Sequence, residues 1–266
     1  MAKPKALILT GYGINCDEET QFAFTKAGAN ADIVHVNDLI AGDKKLSDYQ
    51  ILTFPGGFSF GDDTGSGNAL ADKIKNHLWE DVENFVHQDK LVLGICNGDQ
   101  VLKRMGLVPA IDGKYGTQQV ALVHNDSARY VDRWVDLQFS GNSPWTAGIG
   151  RVMMPIAHGE GKIYTDAHTL NMLHKKNLIA ATYVRGEACQ YQDLKANPNG
   201  SLDDIAGLTD ETGKVFGLMP HPERAISFTQ LPNWPLLKEQ YKRAERELPK
   251  EGPGMQIFRN GVNYFK

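Results

Sequence analysis

Cys96 stands in the stretch GICNGDQ (Gly94 to Gln100), directly after the apolar run LVL. A free cysteine often packs inertly in a core, so the neighbours must decide its role. A glycine two residues before and another two residues after make the spacing of a nucleophile elbow, a tight strand-to-helix turn that bares a reactive side chain. The following DQVLKRM reads as a helix. Its first free N–H groups and partial positive charge favour a thiolate, and the N–H of Asn97 can serve an oxyanion. A second oxyanion donor is offered by FPGGFSFGDD (Phe54 to Asp63), where Gly56 and Gly57 bare backbone N–H groups.

A cysteine nucleophile needs a base, and the chain has eight histidines. His35 falls in a strand, His77 and His87 on a long helical stretch, and His168 and His174 in a polar segment. His124, His158 and His221 remain. His221 lies in MPHPER, after the apolar strand KVFGLM. Flanking prolines hold Met219 and His221 extended, so His221 and Glu223 share a side. A carboxylate there orients the imidazole and stabilises its charged form. His158, in AHGEG, could line the mouth of the site.

The elements that must position these residues alternate through the first half. Lys5–Thr10, Asp32–Val36, Gln50–Phe54 and Leu91–Ile95 read as short apolar strands of the kind buried on both faces of a parallel sheet. Asp17–Ala27 and a long segment Asn68–Gln88 read as helices, the latter with Leu70, Ile74, Leu78, Val82, Phe85 and Val86 on one stripe. VALVHN, WVDLQF, VMMPIAHGEGKIYT and LIAATYV suggest an antiparallel or mixed extension, with the parallel core resuming at Lys214–Met219. NPNGS is a turn, and Leu236–Leu248 a charged helix. The fold expected is α/β, a doubly wound, mostly parallel, flavodoxin-like sheet with that extension. No linker or repeat divides residues 1–266, so one domain is expected, with a helical tail from about 235 to 266.

With 266 residues, 41% hydrophobic and 23% charged, the chain can build a real core, and its net charge of −4 offers no basic face for nucleic acid. No apolar run is long enough for a membrane span. The three cysteines, Cys16, Cys96 and Cys189, are far apart and lack metal-site spacing. Free thiols in a reducing cytoplasm, and no metal in this chain, are expected.

The elbow, the Gly-Gly loop and the late His-x-Glu, in this order, resemble the class I (triad) glutamine amidotransferases. PGGFSFGD, GICNGDQ, PIAHGEG, NPNGS and IAGLTDETGKVFGLMPHPER together resemble the glutaminase component of phosphoribosylformylglycinamidine synthase, and the tail GPGMQIFRN is similar to the end of that domain in the single-chain form of the synthase. The resemblance implies glutamine hydrolysis through Cys96, His221 and Glu223. It places the oxyanion on Asn97 and Gly56 or Gly57, and has Gln100 and the segment near Asn125 hold glutamine. It also implies an ammonia channel to a synthetase subunit that aminates formylglycinamide ribonucleotide in purine biosynthesis, and it brings a further partner, the small auxiliary subunit. No P-loop is present, so ATP and magnesium belong on the synthetase. Two departures stand out. Asp99 replaces the family's usual apolar or small residue, where its charge could oppose the thiolate. GDDTGSGNALA (from Gly61) lacks the arginine that usually follows the Gly-Gly loop near the subunit contact. Two alternatives stay open: a glutaminase or peptidase serving another pathway, and a non-catalytic regulatory subunit on the same fold.

Overall fold

Five strands run parallel along one side of a nine-stranded sheet with the order β2-β1-β3-β4-β11-β10-β9-β6-β7, in a computed structural model that describes residues 3–190 and 193–266. The first half supplies β1 (Lys5–Thr10), α1 (Asp17–Ala27), β2 (Asn30–His35), α2 (Val36–Ala41), β3 (Ile51–Phe54), α3 (Asn68–His77), α4 (Trp79–Val86), β4 (Leu91–Ile95) and α5 (Asn97–Met105). The second supplies β5 (Ala121–Val123), β6 (Val131–Phe139), β7 (Arg151–His158), β8 (Lys162–Tyr164), α6 (Ala167–Lys175), β9 (Ile179–Val184), α7 (Glu187–Gln190), β10 (Ile205–Thr209), β11 (Val215–Leu218), α8 (Trp234–Arg243) and α9 (Met255–Asn263). β11 pairs parallel with β4, whereas β10, β9, β6 and β7 continue antiparallel, and β5 and β8 form a separate ribbon. The expected parallel core and antiparallel extension are both present.

Strand alternation divides the core. Ala6, Ile8, Leu91, Leu93 and Ile95 face one apolar layer with Phe24 of α1 and Phe258 of α9, whose rings meet edge to face with centroids 5.0 Å apart. Leu7, Leu9, Leu52 and Val92 face the other, under α3, α4 and α5. The helix expected over Asn68–Gln88 is two helices, because Leu78 leaves helical geometry (φ −132°, ψ 10°). The apolar stripe survives the break: all six of its residues are buried. His35 ends β2 and caps α2, its Nδ1 accepting from the Asn37 N–H at 3.1 Å. VALVHN contributes only the three residues of β5, and the run from Val152 splits into β7 and β8 at the Gly159–Gly161 turn. The charged helix expected over Leu236–Leu248 ends at Arg243, and α9 follows it.

Parallel strands gather their C-terminal ends on one edge, where α/β sheets carry ligands. The loops after β1, β3, β4 and β11 carry Cys16, the Gly-Gly turn, Cys96 and His221 respectively. The N–H of His221 donates to the Pro155 carbonyl of β7 at 2.8 Å, which ties the last of these loops to the antiparallel half.

Candidate active site

Cys96 has φ 51° and ψ −106°, a strained backbone for a residue with a side chain. Its own N–H is spent on the Leu218 carbonyl of β11 at 2.8 Å. The turn is possible because α5 can press onto β3 at Gly98, where a Cβ would collide with the Phe54 carbonyl oxygen. The first residue of α5, Asn97, has an amide N–H with no partner inside its helix. The thiol of Cys96 faces the Ala157 carbonyl of β7 at 3.6 Å and is 5% exposed. The elbow expected from the glycine spacing is therefore present.

Gly57 sits across from Ile14 in a single antiparallel bridge, flanked by Asn15 N–H to Gly56 O (3.4 Å) and Phe58 N–H to Gly13 O (2.8 Å). Those two bonds leave the N–H of Gly57 itself unused by the bridge, as an oxyanion donor requires. At φ 152°, a Cβ there would lie 2.7 Å from the Gly13 carbonyl. Gly56 instead uses its carbonyl to anchor the Cys16 N–H at 3.2 Å and packs under the His221 ring.

His221 Nδ1 and Glu223 Oε1 lie 2.5 Å apart, both side chains buried. The carboxylate fixes the ring, and Nε2 is left buried without a formed hydrogen bond. Burial pushes the imidazolium down, but Glu223 and the thiols of Cys96 and Cys16 push it up, and the result is well above the ordinary 6.5. In the unfolded chain the ring returns to its ordinary value. Protonation of His221 therefore stabilises the fold fully below about pH 6.5, and this contribution is lost as the pH rises through the raised native value. Glu223→Gln should remove much of it. The stability gap to the parent, followed by urea unfolding across pH, should be widest near neutral-to-acid pH and close toward alkaline pH. The same variant should lose about a hundredfold or more of any glutaminase rate.

The other expected site residues are placed differently. Gln100 is bonded at both ends, Nε2 to the Glu160 carbonyl (2.7 Å) and Oε1 from Asn97 Nδ2 (2.9 Å). Asn125 donates to the carbonyls of Arg129 and His158 and accepts from the Gly161 N–H, with His158 Nδ1 3.1 Å away. Gln100 thus ties α5 to the turn after β7, and Asn125 ties its own loop to the same turn. His158 is an inner wall, not an open mouth: it is buried, and burial together with the His221 charge pushes it down to about 4, so it stays neutral. His124 is exposed, 3.7 Å from Glu160. The rim is aromatic, with the exposed Phe58 and Tyr130 tilted together at 6.1 Å.

Asp99 does not turn its charge on Cys96. It forms a fully buried ion pair with Lys103, one helical turn on, over Gly217 of β11. Burial drives the carboxyl up and the ammonium down, and each charge opposes the shift of the other. The loop without the usual arginine is bound to the elbow at Asn97, which donates to Asp62 (3.4 Å) and accepts from the Ser59 N–H (3.2 Å), and to the turn after β7 by the Ser66 N–H on Glu160 (3.1 Å).

Sequence reasoning missed Cys16 and Arg224. Atoms of Cys16, His221 and Glu223 all lie within 4.8 Å of one another, and Arg224 Nη2 donates to Cys16 Sγ at 2.9 Å. A groove of about 470 Å³ beside β6, lined by Trp134, Met153 and Leu236 among others, is separate from this cluster. Among the described residues, no helix is long and apolar enough to cross a membrane.

Comparison with known proteins agrees with this geometry. Residues 3–265 match the family model of the CobB/CobQ-like glutamine amidotransferase domain. The chain is 48% identical to the phosphoribosylformylglycinamidine synthase subunit PurQ of Methanococcus maripaludis, over 98% of this chain and 97% of that relative. It is similar to a chain in the solved structure of PurLQS from Thermotoga maritima, with a TM-score of 0.72 and 30% identity over the whole of both chains. A second glutamine amidotransferase of Thermotoga maritima shares the fold at 13% identity, with a TM-score of 0.54 and coverage of 99% of this chain and 98% of that one. The chain belongs to the CobB/CobQ-like glutamine amidotransferases, within the family of PurQ subunits of phosphoribosylformylglycinamidine synthase.

Proposed function

We propose that this chain hydrolyses glutamine to glutamate and ammonia and supplies the ammonia to the synthetase subunit of phosphoribosylformylglycinamidine synthase, which aminates formylglycinamide ribonucleotide. One observation carries the chemistry: a cysteine on a strained turn at a helix N-terminus, opposite a buried His221–Glu223 pair. The thiol proton of Cys96 passes to His221, giving the imidazolium beside the sulfur, and the sulfur attacks the side-chain amide carbon of glutamine. The oxyanion is held by the N–H groups of Asn97 and Gly57, each in a fixed backbone. His221 returns the proton to the departing nitrogen, ammonia leaves, and water hydrolyses the thioester to glutamate. Glu223 keeps the ring oriented and balances its charge throughout.

The partner reading rests on kinship with PurQ subunits and with the chain of the PurLQS structure. Formation of the amidine needs activation of an amide oxygen by ATP with magnesium. In this reading both are bound by the synthetase, and the small auxiliary subunit joins the assembly. In this reading the reaction runs in the cytoplasm, in keeping with three free thiols.

A glutamine-shaped diazoketone tests the site directly. It should alkylate Cys96 and spare Cys16 and Cys189, as read by peptide mass spectrometry. Labelling at Cys16, or none in the presence of the synthetase, would remove Cys96 from its role.

A further inference from the structure

Two thiols, not one, stand against His221. We propose that Cys16 is a positioning residue of this site, which, gripped by Arg224, keeps the His221 imidazole in place beside Cys96. The proposal rests on the glutaminase reading above for its kinetic consequence, but not for its geometry.

Cys16 lies in the loop after β1, 205 residues before His221, and is fully buried. Its backbone is fixed on both sides. The N–H donates to the Gly56 carbonyl at 3.2 Å, and the carbonyl accepts from the Thr20 N–H of α1 at 3.2 Å. Its sulfur is fixed as well, donating to Asn15 Oδ1 at 3.3 Å and accepting from Arg224 Nη2 at 2.9 Å. At Gly56, the position a Cβ would take is 2.7 Å from Cε1 of His221 and 3.3 Å from Sγ of Cys16, so ring and sulfur border the same small space. The ring is thus held by Glu223 at Nδ1 and flanked by Cys16, with little room to turn away from the elbow.

A thiol, an imidazole and a carboxylate at this spacing are also the donor types of a soft-metal site. Here the positive charge is already supplied. The Arg224 guanidinium touches Cys16 and has its Nε 4.0 Å from Glu223 Oε1. That cation disfavours a metal ion and gives the sulfur an electrostatic anchor. Cys16 then borders the His221 ring across the space above Gly56. It is not on the elbow: it lies in the loop after β1.

The charged and titratable groups around His221 are Glu223 after β11, Cys96 on the elbow, Cys16 before α1, His158 at the end of β7 and Tyr130 before β6, with Arg224 held against Glu223 and Cys16. His158 is neutral, and Cys16 favours the imidazolium. Removing the sulfur should therefore let His221 lose its proton at lower pH. Since the imidazolium must protonate the departing nitrogen, the alkaline limb of kcat/KM should move the same way.

The experiment is a histidine-labelled NMR titration of the full chain, read for His221, in the parent, Cys16→Ala and Cys16→Ser. It is paired with the glutaminase pH profile of each in complex with the synthetase. In Cys16→Ala the His221 midpoint should fall by about half a pH unit or more, and the alkaline limb should follow it. Cys16→Ser, which keeps a polar group that Arg224 can reach, should show a smaller fall. A role in packing alone would lower the rate at every pH and leave both midpoints where they are; that result in both variants overturns the proposal. If Cys16→Ala does not fold, the Cys16→Ser midpoint decides by the same criterion: displaced supports, superimposable overturns. Because the NMR midpoint needs no turnover, it separates failure of this inference from failure of the glutaminase reading, which would appear as absent activity in the parent.

Discussion

Cys96→Ala should abolish glutamine hydrolysis, by at least about 10⁴-fold, while leaving the fold and the binding of the synthetase intact. The small side chain is tolerated because the elbow is held by its backbone, with the Cys96 N–H on Leu218 and Gly98 against Phe54. Alanine also relieves none of the α5 packing, so the variant should unfold within about 1 kcal/mol of the parent. The complex built with it should still aminate formylglycinamide ribonucleotide from added ammonium salts, because the synthetase chemistry does not pass through this thiol. Cys16→Ala, in contrast, should retain substantial glutaminase activity near neutral pH. Equal, complete loss in both variants would leave the nucleophile unassigned between the two sulfurs flanking His221.

The second large effect concerns stability. Lys103→Met should destabilise the chain by about 3–5 kcal/mol, because it strands the fully buried Asp99 carboxylate without its cation. Asp99 already has one oxygen, Oδ2, without a partner. The double variant Asp99→Leu/Lys103→Met removes both charges and should recover most of the loss, to within about 1–2 kcal/mol of the parent. Urea unfolding monitored by tryptophan fluorescence measures all of these, and the non-additivity is the diagnostic. If Lys103→Met and the double variant are equally destabilised, the pair is not what satisfies Asp99. The pair also explains how an acidic residue can sit three positions after the nucleophile. Its charge is met inside the α5–β11 contact and is not left to oppose the thiolate.

The parallel half of the sheet is legible in the sequence because its strands are buried on both faces and so read as unbroken apolar runs: Ala6 to Leu9 and Leu91 to Ile95 are buried throughout. The antiparallel half is blurred. β10 (IAGLT) is short and buried throughout, so it shows neither alternation nor a distinct length. The run from Val152 to Thr165 gives no sign that its glycine turn carries the chain from the main sheet into a separate ribbon. The break at Leu78 carries no glycine or proline, and the apolar stripe continues across it.

The site is legible where chemistry is local. Cys96 with its glycines, and His221 with Glu223, are each contained in a few residues. Resemblance assigns Gln100 and Asn125 to glutamine; their bonds to the turn after β7, at the Glu160 carbonyl and the Gly161 N–H, are set only once that turn packs and carry no local sequence signal. Cys16 carries no motif. Its partners are far off in sequence, and only the common edge of a parallel sheet joins them. The available signal is topological: a cysteine shortly after β1 ends on the same edge as one shortly after β4. Asp99 and Lys103 have helical pair spacing, but which way that face turns is fixed by packing against β11.

The central claim is that this chain makes glutamine usable by a synthetase that otherwise needs free ammonia. The most direct measurement is the rate of formylglycinamide ribonucleotide amination by the purified synthetase, with ATP, magnesium and glutamine as the sole nitrogen source, before and after this chain is added. The expected rate is near zero without the chain, with sustained turnover once it is present and one glutamate formed per amidine. An active synthetase, shown to work with ammonium salts, that stays silent with glutamine after the chain is added would contradict the claim.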